Sequence, residues 1–155
     1  SRVEKAGILP RARFQYEPFK DRSRGTYFAE MLGKFAGVDL VFFDPDVGLA
    51  MSHSKRGGKW LHFSELGNAF RKGHSVFVIQ FPKREKADWI TQQVKQIRKK
   101  TRAARIYTFR ASRASAVVFF LAVQRGHADW FRRRAKEVKK HWGSIITVTP
   151  DPDRQ

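Results

Sequence analysis

Two carboxylates separated by one proline, Asp44-Pro45-Asp46, stand directly behind the apolar run VDLVFF at residues 38–43. Pro45 fixes its own φ and biases Asp44 towards extended backbone, so the pair is presented on a stiff turn. Gly48 permits a tight or left-handed turn two residues on. If the run is a strand of an open α/β sheet, this turn lies beyond its carboxy end, where ligands of such sheets bind. Two chemistries suit it, with Asp44, Pro45 and Asp46 as the catalytic candidates. In one, a carboxylate and a backbone carbonyl accept hydrogen bonds from an exocyclic amine and orient its lone pair for attack on a methyl donor. In the other, Asp44 and Asp46 hold Mg²⁺, which activates water or stabilises a phosphoryl transition state. The structural alternative is an Asp-Pro turn closed by an Asx hydrogen bond.

Cationic groups follow the turn. In the segment SKRGGKW, residues 54–60, Lys55, Arg56 and Lys59 are candidates for phosphate contacts, and Trp60 for stacking on a splayed base or for opening the next core element. Lys83 and Arg84 follow a second apolar run and join the substrate-binding candidates. The whole chain carries 32 Lys and Arg against 14 acids, a net charge of +18. Self-repulsion on that scale calls for a polyanionic partner. Residues 83–115 hold 11 of the basic residues and 2 of the acids. From that segment Lys95, Arg98, Lys99, Lys100, Arg102, Arg110 and Arg113 are the candidates for binding the backbone of DNA or RNA. Cysteine is absent, which excludes a disulfide scaffold, a Cys nucleophile and a Cys-based metal site. The five histidines lack metal-ligand spacing, so none is assigned a ligand or catalytic role.

The elements that must position these groups are legible in outline. With 155 residues, 41% hydrophobic, the chain is read as a single α/β domain over residues 1–155. Residues 1–22 are irregular. Thr26 caps a helix burying Phe28, Met31, Leu32 and Phe35, with Gly37 at its end. A strand at 38–43 follows, then a helix at 64–72 capped by Ser64, and a strand at 75–81 stopped by Pro82. Ala87, Ile90, Val94 and Ile97 form one stripe of a helix at 83–100. Strands at 105–110 and 116–124 make a hairpin. Ala128, Phe131, Ala135, Val138 and Trp142 mark a terminal helix, and residues 145–148 add a last strand. Trp89 and Trp130 fall off these stripes, and each either covers a neighbouring loop, the favoured reading, or serves as a partner-binding or base-stacking anchor. The expected fold class is α/β: a mostly parallel, Rossmann-like sheet flanked by helices, with a C-terminal antiparallel hairpin. No apolar run has the length of a membrane span, and the first residues do not read as a basic-then-apolar secretory signal. A cytoplasmic protein that lacks an upstream part, or takes it from a partner chain, is expected.

Over residues 38–124, the order of strand, DPDVGL turn, helix, SVFVIQF strand, basic helix and hairpin resembles the back half of Rossmann-like S-adenosylmethionine-dependent methyltransferases. Amino-methylating members carry an acidic residue or Asn, two prolines and an aromatic after their fourth strand. Asp44 and Pro45 match the first two positions, while Asp46 and Val47 replace the second proline and the aromatic. The resemblance implies a base amino-methyltransferase, or a degenerate or incomplete relative, with S-adenosylmethionine as cofactor. The Gly-rich turn that binds the cofactor in that family has no counterpart ahead of residue 38. Asp44, Asp46 and Gly48 also resemble the Asp-x-Asp turn of Toprim-type enzymes, which implies Mg²⁺-dependent nuclease chemistry. A non-catalytic DNA- or RNA-binding module is the third expectation.

Overall fold

The computed structural model describes residues 12–15, 23–50, 58–82, 88–111 and 117–151. The chain divides into two compact units, residues 1–37 and 38–155. In the first, helix α1 (Arg24–Lys34) buries Met31 and Leu32 of the expected stripe, and its N-cap is Ser23 rather than Thr26. Gly37, at φ 76°, follows its end. The Arg13 guanidinium donates to the carbonyls of Lys34 and Ala36, both at 3.1 Å. These contacts satisfy carbonyls that a helix end leaves unpaired.

The second unit runs β1 (Leu40–Phe43), β2 (Gly48–Ala50), β3 (Trp60–His62), α2 (Phe63–Arg71), β4 (Ser75–Gln80) and α3 (Trp89–Thr101). It continues with β5 (Arg105–Ala111), β6 (Val117–Val123), a 3₁₀ turn (Arg125–His127), α4 (Ala128–Trp142) and β7 (Ile146–Pro150). The main sheet has the order β1-β4-β6-β5-β7, and β2 with β3 forms a separate parallel pair that sequence periodicity did not disclose.

The expected mostly parallel, Rossmann-like sheet is not what forms. The sheet is mixed, and β1 with β4 is the one parallel pairing in it; β4–β6, β6–β5 and β5–β7 are antiparallel. The cause lies in the hairpin. A five-residue connection between β5 and β6 forces them antiparallel, and β6 then enters the sheet between β4 and β5. Three strands (β1, β4 and β5) point the same way, but the returning strand separates β5 from the other two. The expected hairpin itself is present, registered from Arg105↔Val123 to Ala111↔Val117.

Strand alternation sorts the core into two layers. Val41, Phe43, Val76, Val78, Val118, Phe120, Ala122 and Ile106 occupy one face and are buried. Helices α2 and α3 cover it: Trp89 of α3 meets Phe120 edge-on at 6.4 Å, which makes it a core cover and not a partner anchor. Leu66 and Ile97 are fully buried there, each contributing about 1.5–3 kcal/mol of burial. The other face carries Tyr107, Leu121 and Val123, against which α4 packs Phe131 and Ala135. Helix α2 begins one residue before the expected Ser64 cap. Its N-cap is His62, whose amide donates to Glu65 Oε2 at 2.8 Å. Among the described residues no helix is long and apolar enough to cross a membrane.

Candidate functional site

Strand direction gives the sheet two chemically distinct ends. β1, β4 and β5 finish at one, the carboxy end, and start at the other, the amino end. Asp44-Pro45-Asp46 follows β1 at the carboxy end. The parallel register Phe43↔Val78 sets this turn beside the last residues of β4.

The turn is anchored by a residue the sequence reading did not single out. Gln80, the last residue of β4, is fully buried. Its Oε1 accepts from the Leu49 amide at 2.8 Å. Its Nε2 donates to the Phe81 carbonyl at 2.7 Å and to the Val47 carbonyl at 3.4 Å. One amide side chain therefore ties the chain on the far side of the turn to the end of β4. Gly48 is what lets it approach: its φ is 108°, and a Cβ there would lie 2.5 Å from Gln80 Oε1. A second tie, Val47 N–H to the Lys59 carbonyl at 3.0 Å, joins the turn to the start of β3. The available signal was a polar residue ending an otherwise apolar strand, SVFVIQ. Such a residue, when buried, needs partners.

Asp44 and Asp46 are both exposed, with Pro45 half-buried between them. No hydrogen bond or ion pair from a described residue reaches either carboxylate, so the side-chain Asx closure is not formed among these residues. Lys59 is exposed beside the turn and Trp60 is half-buried in β3. Lys55, Arg56, Lys83, Arg84 and Arg113 lie outside the described residues.

The remaining cationic candidates are dispersed. Helix α3 leaves β4 at the carboxy end and delivers the chain to β5 at the amino end, a 13-residue span of about 20 Å. Arg98, Lys99, Lys100 and Arg102 therefore sit at the end opposite Asp44, with Lys95 between. Arg98 is engaged internally. Its Nε donates to Asp151 Oδ2 at 2.9 Å, its Nη2 contacts the same oxygen, and its Nη1 reaches the Ala103 carbonyl at 3.3 Å. Arg102 closes α3 in the left-handed region at φ 54°. Arg110, exposed near the end of β5, is the one described member of the expected backbone-binding set at the carboxy end. Helix α4 adds cations from outside the candidate binding set. It starts after β6 at the amino end and stops four residues before Ile146, which pairs with Ala111. Its last turn, with exposed Lys139 and Lys140, is thus at the carboxy end.

The amino end holds a Ser–His–Asp chain of contacts: Ser75 Oγ lies 2.9 Å from His127 Nδ1, and His127 Nε2 lies 3.4 Å from Asp39 Oδ1. It is not a nucleophile site. Ser75 is fully buried, and its Oγ already accepts from the Gln124 amide at 3.1 Å. The same hydroxyl is held against Nδ1 of the ring, whose other nitrogen faces Asp39. Gln124 Nε2 donates to the carbonyls of Phe70 and His74, at 2.5 and 3.2 Å. Each member closes a contact between elements.

No protein-family model matches the chain, and no curated protein matches its sequence. S-adenosylmethionine needs an open glycine turn at a strand's carboxy end. Gly48 is the described positive-φ glycine at that end, and Gln80 fills the space beside it. Gly37 and Gly73 precede β1 and β4 at the amino end. The described residues thus do not form that cofactor's cradle. For Mg²⁺, no group of three or more His, Asp or Glu side chains arranged to hold a metal ion occurs among them.

Proposed function

We propose that this chain binds nucleic acid and sets the Asp44-Pro45-Asp46 turn against a base. The net charge of +18 supplies the attraction for a polyanion. Lys59, Arg110, Lys139 and Lys140 place exposed cations at the carboxy end, where the turn is. Two carboxylates repel phosphate, so in such a complex the turn faces away from the backbone and towards base edges. A carboxylate accepts hydrogen bonds and donates none at neutral pH. It therefore suits the exocyclic amines of cytosine and adenine and not the O4 carbonyl of uracil or thymine.

The observation that carries this reading is the turn itself, stiffened by Gln80 and presenting two carboxylates with no partner among the described residues. The test is fluorescence anisotropy with cytosine-only and uracil-only oligonucleotides across a salt series. The expected result is tighter binding of the cytosine oligomer, a preference of about 1–3 kcal/mol that Asp44→Ala abolishes while the salt slope stays the same. Equal affinity of the wild-type protein for both oligomers overturns the base-facing role of the turn. Affinity independent of salt overturns nucleic-acid binding as a whole.

A further inference from the structure

Among the described residues four large apolar side chains are exposed: Phe42 at 51%, Phe81 at 38%, Trp130 at 50% and Trp142 at 55%. Three of them gather at the carboxy end. Phe42 is the penultimate residue of β1, and Phe81 follows the last residue of β4. Trp142 ends α4, where the Ile145 amide donates to its carbonyl at 2.9 Å just before β7 starts. They also share a side. Phe42 lies on the face covered by α4, its ring 5.5 Å from that of Phe77. Alternation along β4 assigns that face to Phe77 and Ile79, and one step further to Phe81. Trp142 belongs to the helix that covers it. From β4 to β7 is three strand spacings, about 14 Å.

Aromatic groups left in water at the end that also carries exposed Lys139 and Lys140 are not accounted for by core packing. A duplex keeps its base faces stacked inside, so it offers them nothing. We infer that the carboxy end takes single-stranded nucleic acid, with unpaired bases stacking on Phe81 and Trp142 while Lys139 and Lys140 meet the phosphates. The charge of the surroundings selects this occupant over an apolar protein partner. The inference rests on the nucleic-acid reading above and adds the strandedness of the ligand. Stacking is tolerant of sequence because every base has a π-face; the Asp44 turn then supplies the choice among bases.

The experiment compares a labelled 12-nucleotide single strand of mixed sequence with the same strand annealed to its complement. Anisotropy is read for the wild-type protein and for Phe81→Ala, Trp142→Ala and Trp130→Ala. Trp130 is the internal control, equally exposed but near the start of α4 at the amino end. Phe81→Ala and Trp142→Ala are each expected to weaken single-strand binding about 5- to 150-fold, with duplex binding and the salt slope unchanged. Trp130→Ala is expected to change neither. Tighter binding of the duplex by the wild-type protein overturns the inference and leaves the proposed function standing. So does an equal loss in the Trp130 variant. Absence of salt-dependent binding to both forms overturns the two together.

Discussion

The two ends of the sheet use the same kinds of residue in opposite ways. At the amino end, Asp39, Ser75, Gln124 and His127 contact one another or the backbone, and Ser75 is sealed from water. At the carboxy end a buried amide, Gln80, is as fully engaged. Yet the carboxylates it positions are exposed and have no partner among the described residues. A seryl–histidine–aspartate sequence of contacts looks like chemistry and is architecture. A plain Asp-Pro-Asp turn looks like a loop and is the better candidate, because function needs groups whose hydrogen-bonding capacity is still available to a ligand.

Substitutions can break this contrast. The largest effect is expected for Gly48→Ala. It sets a Cβ 2.5 Å from Gln80 Oε1 at φ 108°, and left-handed strain with overpacking costs about 2–5 kcal/mol. Urea denaturation measures it, and a loss below 1 kcal/mol would mean that Gln80 does not anchor the turn. Ser75→Ala at the other end removes the acceptor of the Gln124 amide and the hydroxyl partner of His127 Nδ1. It is expected to cost about 1–3 kcal/mol in the same assay without altering oligonucleotide affinity. A change in affinity at unchanged stability would return that cluster to the list of sites. Smallest is Asp44→Ala, expected to shift stability by less than about 0.5 kcal/mol, as for an exposed group outside any network. A larger loss would show that its carboxylate is structural after all.

Much of the fold was legible and the sheet order was not, for one physical reason. Periodicity reports which face of an element is buried, so the strands at 75–81 and 105–110 and the stripes Val94–Ile97 and Phe131–Ala135 could be read directly. It does not report which strand lies beside which, and the insertion of β6 between β4 and β5 turned an expected parallel sheet into a mixed one. Trp142 illustrates the same limit. It keeps the helical spacing of a core residue but sits in the last turn, where 55% of its surface stays exposed. Arg98 looked like a phosphate ligand because its partner, Asp151, is 53 residues away. Within the site, the Asp44 turn was visible from Pro45 and Gly48. Gln80 was not, since only the folded chain brings it to Leu49.

Among the described residues β1 borders the main sheet, four residues long, paired with β4 and bearing half-exposed Phe42. Lone sheet borders without bulges or inward charges are sticky, and proteins ordinarily guard them locally. Here the guard is global: like-charged copies carrying +18 hold each other at a distance. That repulsion reaches only about 10 Å at 0.1 M salt and 3 Å at 1 M, so concentrated brine weakens this guard.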